Sequence, residues 1–153
     1  MEITLLAYII YFFFYLLSYG LMEFSYFKFS LPKWKRLASQ IQSKEITAFK
    51  PVWPYGAMAY ASYVFAFWYY VLHDIVAGHE KRWYMILFNS TLMALAIYGT
   101  FNLTNYVMLE RYSQKIVIRD ILWGIFVLNA TAFILFFLKR YFDCRCDPKN
   151  KEK

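Results

Sequence analysis

Residues 116–138 read IVIRDILWGIFVLNATAFILFFL, and this stretch decides the fold. From Ile121 to Leu138 it holds no charged residue. A helix crosses a bilayer with about 20 apolar residues at about 1.5 Å each. A helix that is apolar on every side belongs in a membrane or in the core of a large protein. A chain of 153 residues is not a large protein.

The same reading extends outward from this stretch. Trp83 to Leu109 is a second uncharged run, and Glu110 to Lys115 is a tight connection, so the two form an antiparallel hairpin. Tyr55 to Val76 and Ile3 to Met22 are two more spans. The expected fold is all-α: an integral membrane bundle of four transmembrane helices over residues 1–138, with spans at about 3–22, 55–76, 83–109 and 116–138. A charged tail, 139–153, follows. The residues before the first run are Met1 and Glu2 rather than a basic segment, which reads as a retained helix and not a cleaved signal.

Composition agrees. The chain is 61% hydrophobic and 24% aromatic, whereas globular domains are about 45–50% apolar. The net charge of +7 sits beside hydrophobic segments. That arrangement points to the anionic headgroups of a lipid bilayer as partner and away from nucleic acid. Orientation does not follow from charge. The two sides of a four-span topology carry eight and nine Lys/Arg, so the positive-inside rule gives no winner. If the uncharged first helix dominates, the N-terminus is outside.

The connector from Glu23 to Tyr55 is basic. Within it Trp34, Leu37, Ala38 and Ile41 share one helical face, and Pro32 suits a first helical position. A short amphipathic helix over about 32–44 is expected, with Trp34, Lys35 and Arg36 at the membrane surface. The alternative is a helix packed against the bundle itself. In the second span, Ala57 with Ala61 and Ser62 with Ala66 give small-xxx-small spacing, a plausible packing face.

Two stretches are too polar for their place. Tyr98-Gly-Thr-Phe-Asn-Leu-Thr-Asn105 lies inside the third span, and Asp120 near the start of the fourth. Hydrocarbon penalises amides and carboxylates, so such groups face a partner, a cavity or a ligand. Tyr98, Asn102 and Asn105 form one stripe, and Asp120, Trp123 and Gly124 another. Taking the hairpin midpoint at the centre of the loop puts Asn105 level with Asp120, and Asn102 level with Trp123. The expected site is a polar pocket of Tyr98, Asn102, Asn105, Asp120 and Trp123, with Asp120 bonded to the two amides. Gly124 would permit close approach. Asn89 and Asn129 read as interhelical glue.

Other motifs carry less. The sequons at Asn89, Asn102 and Asn129 lie inside spans, where glycosylation does not reach. His73, Asp74, His79 and Glu80 match no standard metal spacing, and Cys144 with Cys146 gives half of a zinc set at most. No metal, no cofactor and no enzymatic nucleophile–base pair is expected.

The polar residues also carry a resemblance. Tyr98-Gly99-Thr100-Phe101-Asn102-Leu103-Thr104-Asn105, followed after a short loop by Asp120-Ile121-Leu122-Trp123-Gly124, resembles the signature of a family of four-helix membrane proteins of bacteria and large DNA viruses. The family is catalogued as domain of unknown function 2177. Its pattern runs Tyr-x-Thr-Tyr-Asp-Leu-Thr-Asn, then Asp-Ile-x-Trp-Gly. Asn102 stands where the family usually has Asp. The family's Asp-x-x-Trp of the first helix has its nearest equivalent here at Ser18-Tyr19-Gly20-Leu21. The resemblance implies the four-helix fold and leaves the activity open.

Two functions follow as expectations. One is a non-enzymatic structural or assembly role, for example in a viral or organellar membrane. The other is a small transporter or channel-like protein using the Asn/Asp pocket. Either works as a homo-oligomer or as part of a larger membrane assembly, since four helices are few for a pore.

Overall fold

The computed structural model of the chain describes residues 5–43, 53–77 and 82–146. Among these the structure is helical, in four rods running up, down, up and down. The first is α1 (Leu5–Gln42). The second is α2 (Trp53–Phe67), continued by a π turn at Trp68–Leu72 into α3 (His73–Val76). The third is α4 (Trp83–Ala94), a π turn at Leu95–Gly99, and α5 (Thr100–Met108). The fourth is α6 (Gln114–Cys146). Among the described residues three helices are long and apolar enough to cross a membrane: Leu5–Ile41, Trp83–Met108 and Gln114–Phe142.

Interior and exterior are arranged as lipid demands. On α1 the buried face is Tyr11, Tyr15 and Tyr19, while Phe13, Phe14, Phe24, Phe27 and Phe29 face outward. Where the surroundings are hydrocarbon, the residues able to make hydrogen bonds turn inward and the purely apolar ones outward. Tyr15 is fully buried, and its hydroxyl donates to the Val64 carbonyl of α2 at 3.0 Å. Tyr19 beside Tyr60, Tyr15 beside Phe67 and Tyr8 beside His73 fix α2 and α3 antiparallel to α1. The main core gathers these tyrosines with Val64, Phe67 and Leu72 of the second rod, Ile86 and Ala94 of α4, and Val127, Leu128 and Leu135 of α6.

α1 differs from the expected layout. It does not end near Met22. It runs 38 residues without a break, about 57 Å at the usual rise. The stretch over 32–42 is helical, as read from its pattern, and continues α1. Pro32 lies inside the helix on an exposed side. Its apolar face is turned onto the chain: Leu37 is buried with Tyr112, Ile116 and Val117, and Trp34 and Ile41 pack around them. Trp34 and Tyr112 stand 6.2 Å apart, ring to ring. Lys35 is half-buried and Arg36 exposed on the same turns. Of the two readings of this helix, packing against the bundle is the one seen. The connection that follows, 44–52, lies outside the described residues, as do His79, Glu80 and residues 147–153 of the tail.

α6 also outruns its expected end at Leu138, continuing through Cys146. Most of the small-residue face of the second rod is turned outward: Ala57, Ala61 and Ser62 are exposed and Ala66 half-buried, while Val64, Phe67 and Val71 form the buried stripe.

Candidate functional site

Helix ends set the register of the hairpin. α5 stops at Met108 and α6 begins at Gln114, two residues earlier than the hydropathy boundary. Tyr98 therefore lies against Gly124, and Thr91 accepts a hydrogen bond from Asn129 Nδ2 at 3.0 Å. This places Asp120 level with Asn102, one turn from the expected Asn105. Asn129 is the interhelical glue its isolation suggested; its amide also reaches the Ile125 carbonyl at 2.8 Å.

Asn102 and Asp120 are both buried, 1% and 5% exposed, yet they do not bond each other. Asn102 is already engaged at both ends. Its Nδ2 donates to the Tyr98 carbonyl at 2.9 Å, and its Oδ1 accepts from the Tyr112 hydroxyl at 3.0 Å. The first bond has a local cause. A π turn breaks the regular backbone ladder, and Tyr98 lies in the π turn that precedes α5. A side-chain amide supplies a donor to that carbonyl. Burial, more than the nearby Asp120 carboxylate, pushes the Tyr112 phenol up to about 12. Asn105 is half-buried one turn further on.

Asp120 instead turns to α1. Tyr26 donates to its Oδ1, and Arg119 Nη2 lies 3.4 Å from the same oxygen. Arg119 Nε donates to the Tyr26 hydroxyl at 3.1 Å, closing a three-membered group. One turn nearer the main core stands a residue the sequence reading passed over. Glu23 Oε1 accepts from the Tyr98 hydroxyl at 2.6 Å and from Trp123 Nε1 at 3.1 Å. The Tyr98 hydroxyl also shares a hydrogen bond with Tyr19 at 3.1 Å. In the sequence Glu23 ends the first uncharged run and so reads as the start of the basic connector.

The arrangement is reciprocal. α1 presents Glu23-x-x-Tyr26 and α6 presents Asp120-x-x-Trp123, each an acid with an aromatic donor one turn on. The helices run antiparallel, so each acid meets the other helix's donor. The two aromatic rings stack between them at 4.5 Å and 8°. The spacing was legible in the sequence, where Glu23 and Tyr26 stand at i, i+3 just past the first uncharged run.

Tyr98, Trp123 and Asp120 of the expected pocket thus meet in one seam, organised by Glu23 and Tyr26 of α1. Asn102 braces the π turn beside it. The seam lies between the main core and the smaller core around Leu37 and Tyr112. A separate groove of about 340 Å³ is lined by Tyr70, Val71, Asn89, Leu92, Met93 and Ala96. Asn89 therefore borders open space.

A family profile described as a predicted membrane protein, domain of unknown function 2177, matches residues 4–137. No curated protein and no solved structure matches the chain.

Proposed function

The chain belongs to the domain of unknown function 2177 family of predicted membrane proteins, and from that premise we propose a non-enzymatic structural or assembly role in a membrane. One observation carries this reading: the polar groups of the seam, Asn102 and Asp120 buried and the others half-buried, engage one another. Glu23 takes Tyr98 and Trp123, Asp120 takes Tyr26 and Arg119, and Asn102 uses both ends of its amide. Such a seam joins α1 to the α5–α6 hairpin, and membrane bundles use interhelical polar contacts in this way. Anionic headgroups at the basic ends and further copies of the chain are the partners that suit it. The N-terminus is on the outer side in this reading, so Cys144 and Cys146 of the tail would react with a membrane-impermeant thiol reagent added outside.

A second reading has its own support. The bonds to the acids fall on Glu23 Oε1 and Asp120 Oδ1, leaving a second oxygen on each for a transported cation. Proton and cation flux into liposomes separates the two. The structural role predicts background flux for wild type and for Asp120→Asn alike. Flux that exceeds background and falls in Asp120→Asn would replace it with the channel-like oligomer.

A further inference from the structure

We infer that Glu23 is a proton-exchange site, and that its protonation reverses the direction of the Tyr19–Tyr98–Glu23 hydrogen-bond chain. The inference goes beyond the packing role and does not depend on it.

The charges in the seam do not balance. It holds two acids, Glu23 and Asp120, and one base, Arg119. Asp120 has that base beside it. Glu23 is met only by neutral donors, Tyr98 from the π turn before α5 and Trp123 from α6. From the second rod, the phenols of Tyr60 and Tyr63 face the same region. On α1 itself, Tyr19 and Tyr26 flank it one turn to either side. Among the described residues no cation pairs with Glu23. An unbalanced carboxylate half-buried between membrane-length helices is unfavourable, and one proton on Glu23 makes the seam neutral.

The chain of hydroxyls gives that proton a place without opening the seam. With Glu23 ionised, Tyr98 donates to it at 2.6 Å and Tyr19 donates to Tyr98 at 3.1 Å. With Glu23 protonated, its O–H donates to the Tyr98 oxygen, and Tyr98 donates to Tyr19. Between Tyr19 and Tyr98 either oxygen can be the donor. The incoming proton comes from water and stays on the carboxyl. The two phenol protons only turn about their C–O bonds, and no other bond forms or breaks. Trp123 Nε1 keeps donating to Oε1 in both states, to a carboxylate oxygen when Glu23 is ionised and to the hydroxyl oxygen when it is protonated. Asp120, with Arg119 and Tyr26, remains an ion pair throughout.

Infrared difference spectroscopy of the full-length protein in liposomes, between about pH 4 and 9 where carboxyl groups in proteins titrate, reads this directly. The expected result is a carbonyl-stretch band of a protonated carboxyl that is removed by Glu23→Gln and retained in Asp120→Asn. The same band moves in frequency in Tyr98→Phe, which takes away the phenol without touching the acid. A band that survives Glu23→Gln, or that disappears in Asp120→Asn instead, overturns the assignment. So does a band unmoved by Tyr98→Phe, or no band at all. Gln at 23 still accepts from Tyr98 and Trp123, so the seam remains closed and a failure here leaves the packing role standing.

Discussion

Gly124→Ala tests the seam at its tightest point. A Cβ at Gly124 would overlap the Tyr98 ring at Cγ, Cδ2 and Cε2. The ring cannot simply turn aside, because its hydroxyl is held by Glu23 and Tyr19 and its backbone sits in the π turn. Forcing an extra carbon into a packed site costs about 1–3 kcal/mol. If the ring moves far enough to lose Glu23, a hydrogen bond to a charged group is lost as well, about 1.5–3 kcal/mol. Against this, Ala is favoured over Gly within a helix by about 0.8–1.0 kcal/mol. The expected net effect is a destabilisation of roughly 1.5–5 kcal/mol from these three contributions. Reversible unfolding in mixed detergent, followed by helicity, measures it. The double variant Gly124→Ala with Tyr98→Ala should be less destabilised than the sum of the two singles, because the new methyl enters the space the ring has left. A Gly124→Ala protein within about 0.5 kcal/mol of wild type, the usual range for changes away from such contacts, would refute the close approach of α6 to Tyr98.

Asn102→Leu removes a donor from the Tyr98 carbonyl and an acceptor from the Tyr112 hydroxyl. At about 1–3 kcal/mol for each buried group left without a partner, the unfolding midpoint should fall well below that of wild type. Tyr112→Phe, which vacates only one end of Asn102, should cost about 1 kcal/mol. Equal effects of the two would show that the amide does not brace the π turn. Tyr112 also gives a pH dependence. Its phenol is raised from an ordinary 10 to about 12, so the folded state holds its proton more tightly than the unfolded one. That contribution is fully present below pH 10 and is lost as pH climbs toward 12. Stability measured across this window should decline in wild type and decline less in Tyr112→Phe.

Hydropathy was enough for the rods because a membrane span is defined by length and by the absence of charge, and both are local properties. It was not enough for their ends. α1 runs past Glu23 and through Pro32 because Trp34, Leu37 and Ile41 find Tyr112 on the hairpin loop and Ile116 and Val117 at the start of α6, all distant in sequence. No periodicity within residues 23–44 names that partner. α6 gains two residues at its start for the same reason: Ile116 and Val117 are buried against α1. That gain changed the hairpin register, and with it the neighbour of every polar residue in the seam.

The polar stretch itself was legible because lipid makes polarity conspicuous, but its partner was sought on the wrong helix. Pairing Asp120 with the amides assumed that the most polar neighbour in the same hairpin is the nearest. The actual selection rule is the antiparallel match of two i, i+3 acid–aromatic pairs on α1 and α6. Glu23 reads in the sequence as the first residue of the basic connector, because a charge at the end of an uncharged run looks like a membrane boundary. Tyr26, three residues on, was the discriminating signal. A boundary glutamate needs no aromatic donor one turn away, whereas a glutamate in a clasp presents one to the opposite acid. Replacing Tyr26 by Phe keeps the stack on Trp123 and removes only the hydroxyl between Asp120 and Arg119. If the clasp is the organising contact, that single oxygen should weaken α1 docking while leaving the hairpin intact. A cysteine pair placed across α1 and α6 should then crosslink less readily than in the Tyr26 background, with a pair across α4 and α6 unchanged. Equal crosslinking at both places would mean that the apolar cores alone hold α1, and that the reciprocal spacing is incidental.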